Sequence, residues 1–381
     1  MTRRVWITGA GVVTGNAASV TELALRLEQR QSAIAALHHT AQPRWPIQYG
    51  AEIAPEALER TLGSKQATLS RDQQIALCSV QEALVTARLP EDAPERRAVA
   101  VVVGCVQYHG RSAIAALIGD RFGLGRQHVV VDAACSSGAH AIAVGHTLIQ
   151  AGAADLVLAT SFNSLVEKDV AGLYQARVLA RSGLMRPFDR HRKGTFVGEA
   201  SASLILESEA SARRRDVPPI AELRGHGTGS DAFDIIPPER SGRGMRTSIE
   251  AALRLARLRP HEIDYVNAHG TGTKLNDPCE TAALLGALGK AAYSIPVSST
   301  KPITGHTLGA AGGVEAIIAL ISVARGFIPA TVNHTEADPA CPLDYVPQMN
   351  RRRPVRCALS TSAGFGGVYC SLLFSNPELA A

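Results

Sequence analysis

The sequence predicts a layered α/β protein made of two similar halves. Short runs rich in β-branched residues recur along the chain, and each ends in small residues and precedes a segment with helical periodicity. Buried strands that alternate with helices are typical of layered α/β folds. Of the 381 residues, 46% are apolar and 19% are charged, a composition that provides core for two fused units and excludes a disordered or fibrous chain.

Ten apolar runs predict strands, five in each half of the chain. A charged segment that ends in two prolines, residues 208–219, separates the fifth run from the sixth and predicts the boundary between the two halves. We therefore divide the chain into an N-terminal half, residues 1–215, and a C-terminal half, residues 216–381. The predicted strands are residues 5–8, 98–103, 129–132, 156–160, 202–206, 220–223, 265–268, 296–299, 358–361 and 369–374.

The two halves also share a strand–turn–helix pattern. Residues 129–152, VVVDAACSSGAHAIAVGHTLIQAG, are typical of a strand, a turn of small residues and a helix that ends at glycine. Residues 295–326, IPVSSTKPITGHTLGAAGGVEAIIALISVARG, follow the same plan. This similarity indicates an internal duplication.

The charge and the cysteine content narrow the function classes. The formal net charge of +5 is spread evenly along the chain, which argues against nucleic-acid binding. The seven cysteines are scattered without a C-x-x-C pair, so we predict neither a disulfide framework nor a metal site and expect a cytoplasmic protein. No uninterrupted apolar run reaches the roughly 18 residues that span a bilayer, so we expect no membrane segment.

A glycine-rich segment, residues 9–15, directly follows the first predicted strand. It is close to the pattern G-x-G-x-x-G, but Thr14 stands where the third glycine would be. The sequence also lacks a strand-ending acidic residue about 20 positions later. We therefore interpret the segment as a tight turn rather than a dinucleotide site.

Cys135 is the strongest candidate for a nucleophile. It follows an apolar strand, it opens a helix, and the residues around it are small. A thiol at a helix N-terminus lies near the positive end of the helix dipole and near free N–H groups. We therefore expect a lowered pKa for this thiol, and the small neighbours leave room for a large thioester. The other six cysteines lack this context and are expected to be inert.

Two histidines lie in similar turns. His269 and His306 each follow a predicted strand and are next to glycine. A single histidine is usually structural, but two in this context indicate shared chemistry. Lys301 precedes His306, and Glu315 is the acid in the following apolar helix that can pair with a buried lysine.

Four motifs carry a resemblance to a known family. They are DAACSSGAHAIAVG around Cys135, VNAHGTGTKLNDPCE around His269, STKPITGHTLGAAGGVEA around His306, and STSAGFGG at residues 360–367. In sequence and order they are similar to the motifs of the β-ketoacyl-[acyl-carrier-protein] synthases, the condensing enzymes of the thiolase fold. The resemblance runs nearly end to end and implies a thiolase-like fold, a duplicated five-layered α/β/α/β/α architecture.

The pattern of two histidines resembles the elongating synthases, which join an acyl chain to malonyl-carrier protein in fatty-acid or polyketide synthesis. By that resemblance, Cys135 holds the acyl group as a thioester, and the backbone N–H groups of Cys135 and Phe365 form an oxyanion hole. His269 and His306 donate to the malonyl thioester carbonyl as carbon dioxide leaves, so at least one of them must be neutral. Lys301 orders the site through its paired acid.

The resemblance also implies contacts with a phosphopantetheine arm, which arrives on the carrier protein, so no bound cofactor is expected. Thr271 and Thr273 match positions that contact the arm, and Asp231 matches a position near its entrance. Ala363 and Phe365 are expected to border the same path. The residues expected to dock the acidic acyl-carrier protein are Lys65, Arg192 and Lys193.

The sequence departs from the family in two places. Between Cys105 and Val129 it is shorter, in a segment that covers the dimer interface and walls the acyl pocket in relatives. Ala363 stands where an aromatic residue is common, and Val368-Tyr369 replaces the usual Thr-Asn. We expect extra space beside the acyl channel, and a dimer formed with itself or with a synthase-like chain. These departures favour a specialised role, as in polyketide synthesis.

Two other classes of protein remain open. A chain-length-factor-like partner subunit would resemble a synthase but usually lacks the cysteine, whereas Cys135 and both histidines are present here. A degradative thiolase would carry a second catalytic cysteine immediately before the C-terminal glycine run, whereas Cys370 follows that run.

Overall fold

The computed structural model describes residues 3–40, 45, 47–63, 68–106, 111–181 and 183–379. The strands are β1 (Val5–Thr14), β2 (Ala35–Ala36), β3 (Tyr49–Gly50), β4 (Val99–Gly104), β5 (His128–Val131), β6 (Leu156–Asn163), β7 (Ala200–Ser208), β8 (Ala221–Ser230), β9 (Tyr265–Asn267), β10 (Val297–Ser298), β11 (Phe327–Ile328), β12 (Arg351–Arg352), β13 (Cys357–Gly364) and β14 (Val368–Ser375). The α-helices are α1 (Val20–Gln29), α2 (Pro55–Leu62), α3 (Arg71–Thr86), α4 (Arg111–Phe122), α5 (Ser137–Gln150), α6 (Glu167–Gln175), α7 (Glu209–Arg214), α8 (Arg243–Ala256), α9 (Asn276–Leu288), α10 (Lys301–Thr304) and α11 (Ala311–Arg325).

The main sheet consists of two five-stranded halves with the same topology. The first has the order β5-β4-β6-β7-β1 and the second has the order β10-β9-β13-β14-β8. In each half the first three strands pair parallel and the remaining pairs are antiparallel. The halves meet where Trp6 and Ile7 of β1 pair with Glu222 and Ala221 of β8. All ten predicted strands are present, and the predicted duplication is confirmed.

The two half-sheets and their helices form five layers. Helices α5 and α11 lie side by side in the middle layer, where α5 contacts β4 and β6 on one side and β14 on the other. Helix α3 covers the outer face of the first half-sheet, and α8 covers the outer face of the second. The predicted α/β/α/β/α layering is therefore confirmed. The segment that joins the halves contains α7 and leads directly into β8.

Glycines in β1 let a helix lie directly on the sheet. Gly9 and Gly11 lie within the strand, and a Cβ on either would collide with backbone oxygens of α3, at Ala83 and Ser79. The interpretation of residues 9–15 as a tight turn is therefore wrong, because these glycines serve close packing inside a strand. The second half has the same close packing between a strand and a helix. There, α8 lies directly on three glycines of β8: Gly225, Gly227 and Gly229.

Helix α11 forms the centre of the core. The segment Leu308–Arg325 is long and apolar enough to cross a bilayer by length and composition, contrary to the expectation that no such segment exists. It is also 89% buried inside the protein, between the two half-sheets. A helix that is hydrophobic on all sides is required in such a middle layer.

Candidate active site

Cys135 lies in the tight turn between β5 and α5. The residue before it, Ala134, has a φ of 49°, in the left-handed region that residues other than glycine rarely adopt. Ser137 closes the turn: its Oγ accepts from the Ala133 N–H at 2.9 Å and donates to the Ala134 carbonyl at 2.6 Å. This turn places Cys135 at the N-terminal end of α5, in the wall of a cavity of about 530 Å³.

Glycines bring the N-terminal ends of α5 and α11 together. A Cβ on Gly138 would lie 2.7 Å from the backbone nitrogen of Gly313, and a Cβ on Gly312 would lie 2.5 Å from that of Ala139. The two middle-layer helices therefore touch backbone to backbone close to Cys135. Because of this contact, the turn before α11 lies close to Cys135.

His269 and His306 reach the same cavity from the second half of the chain. His269 lies just after the C-terminal end of β9, and His306 lies in the turn between α10 and α11. Their rings meet edge to face, with centroids 5.2 Å apart and an interplanar angle of 86°. The structure therefore brings together Cys135 and the two histidines that the sequence singled out.

Lys301 connects His269 to a buried carboxylate. Its ammonium group pairs with Glu315, as predicted, and it donates to the His269 carbonyl at 2.5 Å. The same nitrogen lies 3.3 Å from Nδ1 of His269. Because an ammonium group has no acceptor, Nδ1 accepts and the ring proton lies on Nε2. Lys301 thus fixes the tautomer of His269 and leaves it with an N–H donor.

Both histidines are neutral near pH 7. Burial, with the positive charge of Lys301, holds the pKa of His269 and that of His306 well below the usual 6.5. Burial also raises the pKa of Glu315 to about 7, against the charge and the hydrogen bond of Lys301. Nδ1 of His306 is buried without a hydrogen-bond partner among the described residues.

The expectation of a lowered pKa for Cys135 is wrong. Burial raises the pKa of this thiol to about 12, and the charge of Lys301 only partly opposes the increase. Burial also raises the pKa of Cys78 and of Cys357 to about 12, so thiolate character does not distinguish Cys135. The position of Cys135 distinguishes it. The structure describes all seven cysteines, and of these Cys135 alone lines the cavity.

Two acidic residues of α9 hold the His269 loop, and the sequence analysis did not identify them. Glu280 accepts from the backbone N–H groups of His269 and Gly270, each at 2.8 Å. Asp277 accepts from the N–H of Gly272 at 3.1 Å. The available signal was the spacing of the two acids, one helical turn apart, at the end of the motif VNAHGTGTKLNDPCE.

The backbone N–H groups of Cys135 and Phe365 are available to a ligand oxygen. Neither donates to another residue within the part of the chain that the structure describes. The loop that carries Phe365 lies directly on the Cys135 turn, because a Cβ on Gly364 would lie 2.5 Å from the Ala133 carbonyl oxygen. That these two groups form an oxyanion hole stays a prediction.

Four of the five residues expected to lie along the arm line the cavity. Thr271 and Thr273 line it with hydroxyl oxygens 3.0 Å apart, and Ala363 and Phe365 line it as well. Within the described ranges, no group of three or more His, Cys, Asp or Glu side chains could hold a metal ion. Asp231 is 1% exposed and does not line the cavity, so the expectation that it contacts the arm is corrected.

Of the three residues predicted to dock the carrier protein, the structure describes two. Lys193 is exposed at the rim of the cavity. Arg192 is buried, pairs with Asp338 and donates to the Thr273 carbonyl at 3.0 Å, so it supports the threonine loop and the docking role is wrong. Lys65 lies outside the described residues. Two further cations at the rim were not identified from the sequence: Arg177 and Lys274.

Two family profiles match the chain. Residues 105–212 match the profile described as Beta-ketoacyl synthase, N-terminal domain. Residues 220–335 match the profile described as Beta-ketoacyl synthase, C-terminal domain. The first profile contains the nucleophile turn and the second contains both histidines of the cavity.

Among curated proteins, the chain is similar to Nodulation protein E of Rhizobium meliloti. The two are 34% identical over 402 residues, which cover 98% of this chain and 99% of that protein. The chain is also 37–40% identical to curated polyketide ketoacyl synthases of Streptomyces. It spans only 60–65% of the length of those relatives.

Solved structures share the fold over nearly the whole chain. The ishigamide ketosynthase/chain length factor superposes with a TM-score of 0.90 at 28% identity, covering 99% of this chain and 100% of that chain. A type II PKS acyl-carrier protein in complex with its ketosynthase bound to the hexaketide gives a TM-score of 0.88 at 25% identity, with coverages of 99% and 100%. The fold is therefore thiolase-like, as the resemblance implied.

Proposed function

The chain belongs to the β-ketoacyl synthase family, and we propose that it catalyses a decarboxylative Claisen condensation. In this reaction an acyl group bound to Cys135 is joined to a malonyl group on an acyl-carrier protein, which yields 3-oxoacyl-carrier protein and carbon dioxide. One observation carries the proposal: Cys135, His269 and His306 reach one cavity from opposite halves of the fold.

The reaction begins with acyl transfer to Cys135. The sulfur attacks the thioester carbonyl of acyl-carrier protein while the N–H groups of Cys135 and Phe365 hold the developing oxyanion. The thiol proton leaves on the sulfur of the departing phosphopantetheine arm. Because burial raises the pKa of the thiol, the attack relies on the charge of Lys301 and the N-terminus of α5 rather than on a preformed thiolate.

Decarboxylation of the malonyl group follows. The neutral rings of His269 and His306 donate N–H hydrogen bonds to the thioester carbonyl oxygen, where negative charge collects as carbon dioxide leaves. The enolate then attacks the acyl carbonyl on Cys135 and forms the new carbon–carbon bond. The Cys135 sulfur leaves and takes up a proton from water, which completes the cycle.

Reconstitution with two carrier substrates tests the proposal. The protein is incubated with acyl-carrier protein and malonyl-carrier protein, and the mass of the carrier with its bound acyl group is measured by intact-protein mass spectrometry. We expect a new carrier species with the mass of the 3-oxoacyl product, together with carbon dioxide in equal amount. If a panel of acyl donors gives neither product nor acyl-enzyme, the proposed activity is refuted.

The rim of the cavity supports an acidic carrier as the partner. Arg177, Lys193 and Lys274 are exposed around the opening and supply positive charge there. Beside them, the entrance loop, residues 231–242, carries exposed Phe233 and further apolar side chains. Cations at the opening beside an apolar patch favour an acidic protein surface over a nucleic acid.

All seven cysteines are free thiols, which supports our assignment of the protein to the cytoplasm.

We propose that the protein works as a dimer, either with itself or with a synthase-like chain, in polyketide or other specialised acyl synthesis. Strand β5 is an edge strand, and its residues Val129, Val130 and Val131 are only half-buried. An apolar edge with unpaired backbone groups favours pairing with a second chain. Light scattering on the isolated chain tests this, because a monomer with full condensing activity would refute the dimer.

The thiolase alternative lacks a second cysteine in the cavity. Cys370 is buried in β14 and does not line the opening beside Cys135. Without a second thiol to remove a proton, decarboxylation is the favoured source of the enolate. The partner-subunit alternative has no feature in its favour, because the nucleophile and both histidines are in place.

A further inference from the structure

We infer that Tyr369 sets the width and the charge of the cavity wall beside the glycine loop, residues 364–367, and that Ala363 must remain small to admit its ring. The inference rests on the proposed function only in taking the phosphopantetheine arm as the group that passes this wall. Ala363 was expected to leave space beside the acyl channel, and in this inference the ring of Tyr369 takes up that space.

Tyr369 lies directly across from Ala363 on the neighbouring strand. Ala363 of β13 and Tyr369 of β14 are direct partners in an antiparallel pair, and both line the cavity. Directly opposed residues have Cβ atoms about 4.5–5.5 Å apart and project on the same face of the sheet. A ring at position 363 would therefore compete with the ring of Tyr369. The two positions form a compensating pair in which one is large and the other is small.

Hydrogen bonding fixes the ring of Tyr369. Its hydroxyl donates to Oδ2 of Asp231 at 2.5 Å, and the same carboxylate accepts from the N–H groups of Glu239 at 2.9 Å and Gly244 at 3.0 Å. Next to that carboxylate, a Cβ on Gly244 would lie 2.6 Å from Cε2 of Tyr369. The ring therefore packs against the first turn of α8 and is held there by the hydrogen bond of its hydroxyl.

The ring also separates the Asp231 carboxylate from the cavity. Asp231 is 1% exposed and Tyr369 is 2% exposed, yet only Tyr369 lines the cavity. Burial and the neighbouring carboxylate raise the pKa of the Tyr369 hydroxyl, so it remains a neutral donor. The wall that faces the arm is accordingly aromatic and uncharged, which suits the amide and methylene groups of the arm. Without the ring, this wall would present a buried negative charge.

Charge-selective modification of Cys135 tests the wall directly and needs no carrier substrate. The thiol is treated with two methanethiosulfonates, one carrying a trimethylammonium group and one a sulfonate, and modification of Cys135 is followed by peptide mapping. In Tyr369→Ala we expect the ratio of the cationic to the anionic rate to rise on the order of tenfold, because the Asp231 carboxylate then faces the cavity. Tyr369→Phe keeps the ring and should leave the ratio close to that of the natural protein.

The origin of the charge is checked in a double variant. Tyr369→Ala combined with Asp231→Asn should return the ratio to its original value, since the uncovered group is then neutral. If Tyr369→Ala leaves the ratio unchanged, or if Asp231→Asn does not reverse the rise, the inference is overturned. Should Tyr369→Ala fail to fold by circular dichroism, Tyr369→Leu provides the same comparison with a smaller opening.

Reagent size tests the compensating pair. The ratio of Cys135 modification by benzyl and by methyl methanethiosulfonate reports the width of the cavity. Ala363→Phe should lower this ratio several-fold, and Ala363→Phe with Tyr369→Ala should restore it, because one ring then replaces the other. Equal ratios in the single and double variants would refute the pairing. These rates are measured without condensation, so failure of the wall and failure of the proposed activity are distinguishable.

Discussion

The two turns that lead into the middle-layer helices have equivalent places in the fold and different chemistry. Between β5 and α5 the chain uses residues 132–136, a short turn that presents Cys135 and its free backbone N–H. Between β10 and α11 it uses residues 299–310, which add α10 with Lys301 and the turn with His306. In this duplicated fold one half provides the nucleophile, and the other provides the charge and the side-chain donors.

This difference shows how a symmetric scaffold can separate two chemical steps. The short turn presents the thiol at the N-terminal end of α5, so the proposed acyl transfer relies on backbone donors, on α5 and on the charge of Lys301. Around the long turn, burial together with the charge of Lys301 keeps two imidazoles neutral, and Lys301 sets the tautomer of His269. The proposed catalysis then requires that α5 and α11 stay in contact, because each carries one part of the site.

The largest expected effect is the loss of acyl loading in Cys135→Ala. The variant should form no acyl-enzyme by intact mass and no condensation product, while its thermal unfolding changes little because the change removes only one sulfur atom at a turn. Cys78→Ala is the matched control, since Cys78 is equally buried but does not line the cavity. Acyl loading that persists in Cys135→Ala, or disappears in Cys78→Ala, would contradict the assignment of the nucleophile.

The second effect concerns the charge in the long turn. Lys301→Ala leaves Glu315 as an unpaired buried acid, and breaking such a pair costs about 3–5 kcal/mol of unfolding free energy. Lys290→Ala removes an exposed lysine of the same half and should stay within about 0.5 kcal/mol of the natural protein. Urea unfolding measures both. Similar losses in the two variants would show that the buried pair does not organise this turn.

The contact between the two middle-layer helices gives a smaller effect. Gly138→Ala inserts a Cβ at 2.7 Å from the Gly313 nitrogen, so α5 and α11 must separate, at a cost of about 1–3 kcal/mol and with a loss of condensing activity. Gly172→Ala is the control, because this helical glycine of α6 has open space around its Cα and alanine favours the helix. The account is wrong on this point if both variants have the stability and activity of the natural protein.

A histidine pair far from the cavity gives a pH-dependent effect. His146 of α5 and His226 of β8 place their Nδ1 atoms 3.1 Å apart across the two halves. Burial lowers the pKa of His146 to about 3 and that of His226 to about 4, from the usual 6.5. Below pH 6.5 the unfolded chain binds more protons, so the unfolding free energy falls as the pH falls.

Replacing both histidines by glutamine should remove part of that slope. Relative to the natural protein, the double variant should lose about 3 kcal/mol less unfolding free energy between pH 6.5 and pH 5, half of it from each histidine. His38→Gln, at an exposed histidine, should keep the slope of the natural protein. Parallel pH profiles for the natural protein and the double variant would argue against a buried neutral pair between the halves.

Most of the fold was predictable because buried strands leave a clear apolar signature. Each of the ten predicted runs is a strand, and the strand–turn–helix repeat corresponds to the two middle-layer helices. The segment at Gly9 was misjudged because a glycine in sequence does not show whether it serves a turn or a close helix contact. The segment Leu308–Arg325 was not expected to reach membrane-spanning length, because glycines and Glu315 interrupt its apolar run.

The site was predictable in its residues and less so in its environment. The motifs identified Cys135, His269 and His306, but burial depends on tertiary packing, and it reversed the expected pKa shift of Cys135. Burial also rules out the roles predicted for Arg192 and Asp231, because the sequence does not show that these two polar residues are buried. The acids of α9 were missed because their spacing in the motif does not show which groups they bind, and the backbone N–H groups they accept from are brought to them by the tertiary fold.

In the proposed reaction the two halves of the fold divide the two chemical steps, and one experiment measures both steps in the same samples. Acyl-enzyme formation at Cys135 is followed by intact mass, and carbon dioxide release from malonyl-carrier protein is measured in parallel, for His269→Ala and His306→Ala. We predict that carbon dioxide release falls about 10²–10³-fold in each variant, because a donor to the enolate is lost. Acyl-enzyme formation should fall far less, because the backbone donors and α5 are unchanged. Equal losses in both steps would contradict the claim.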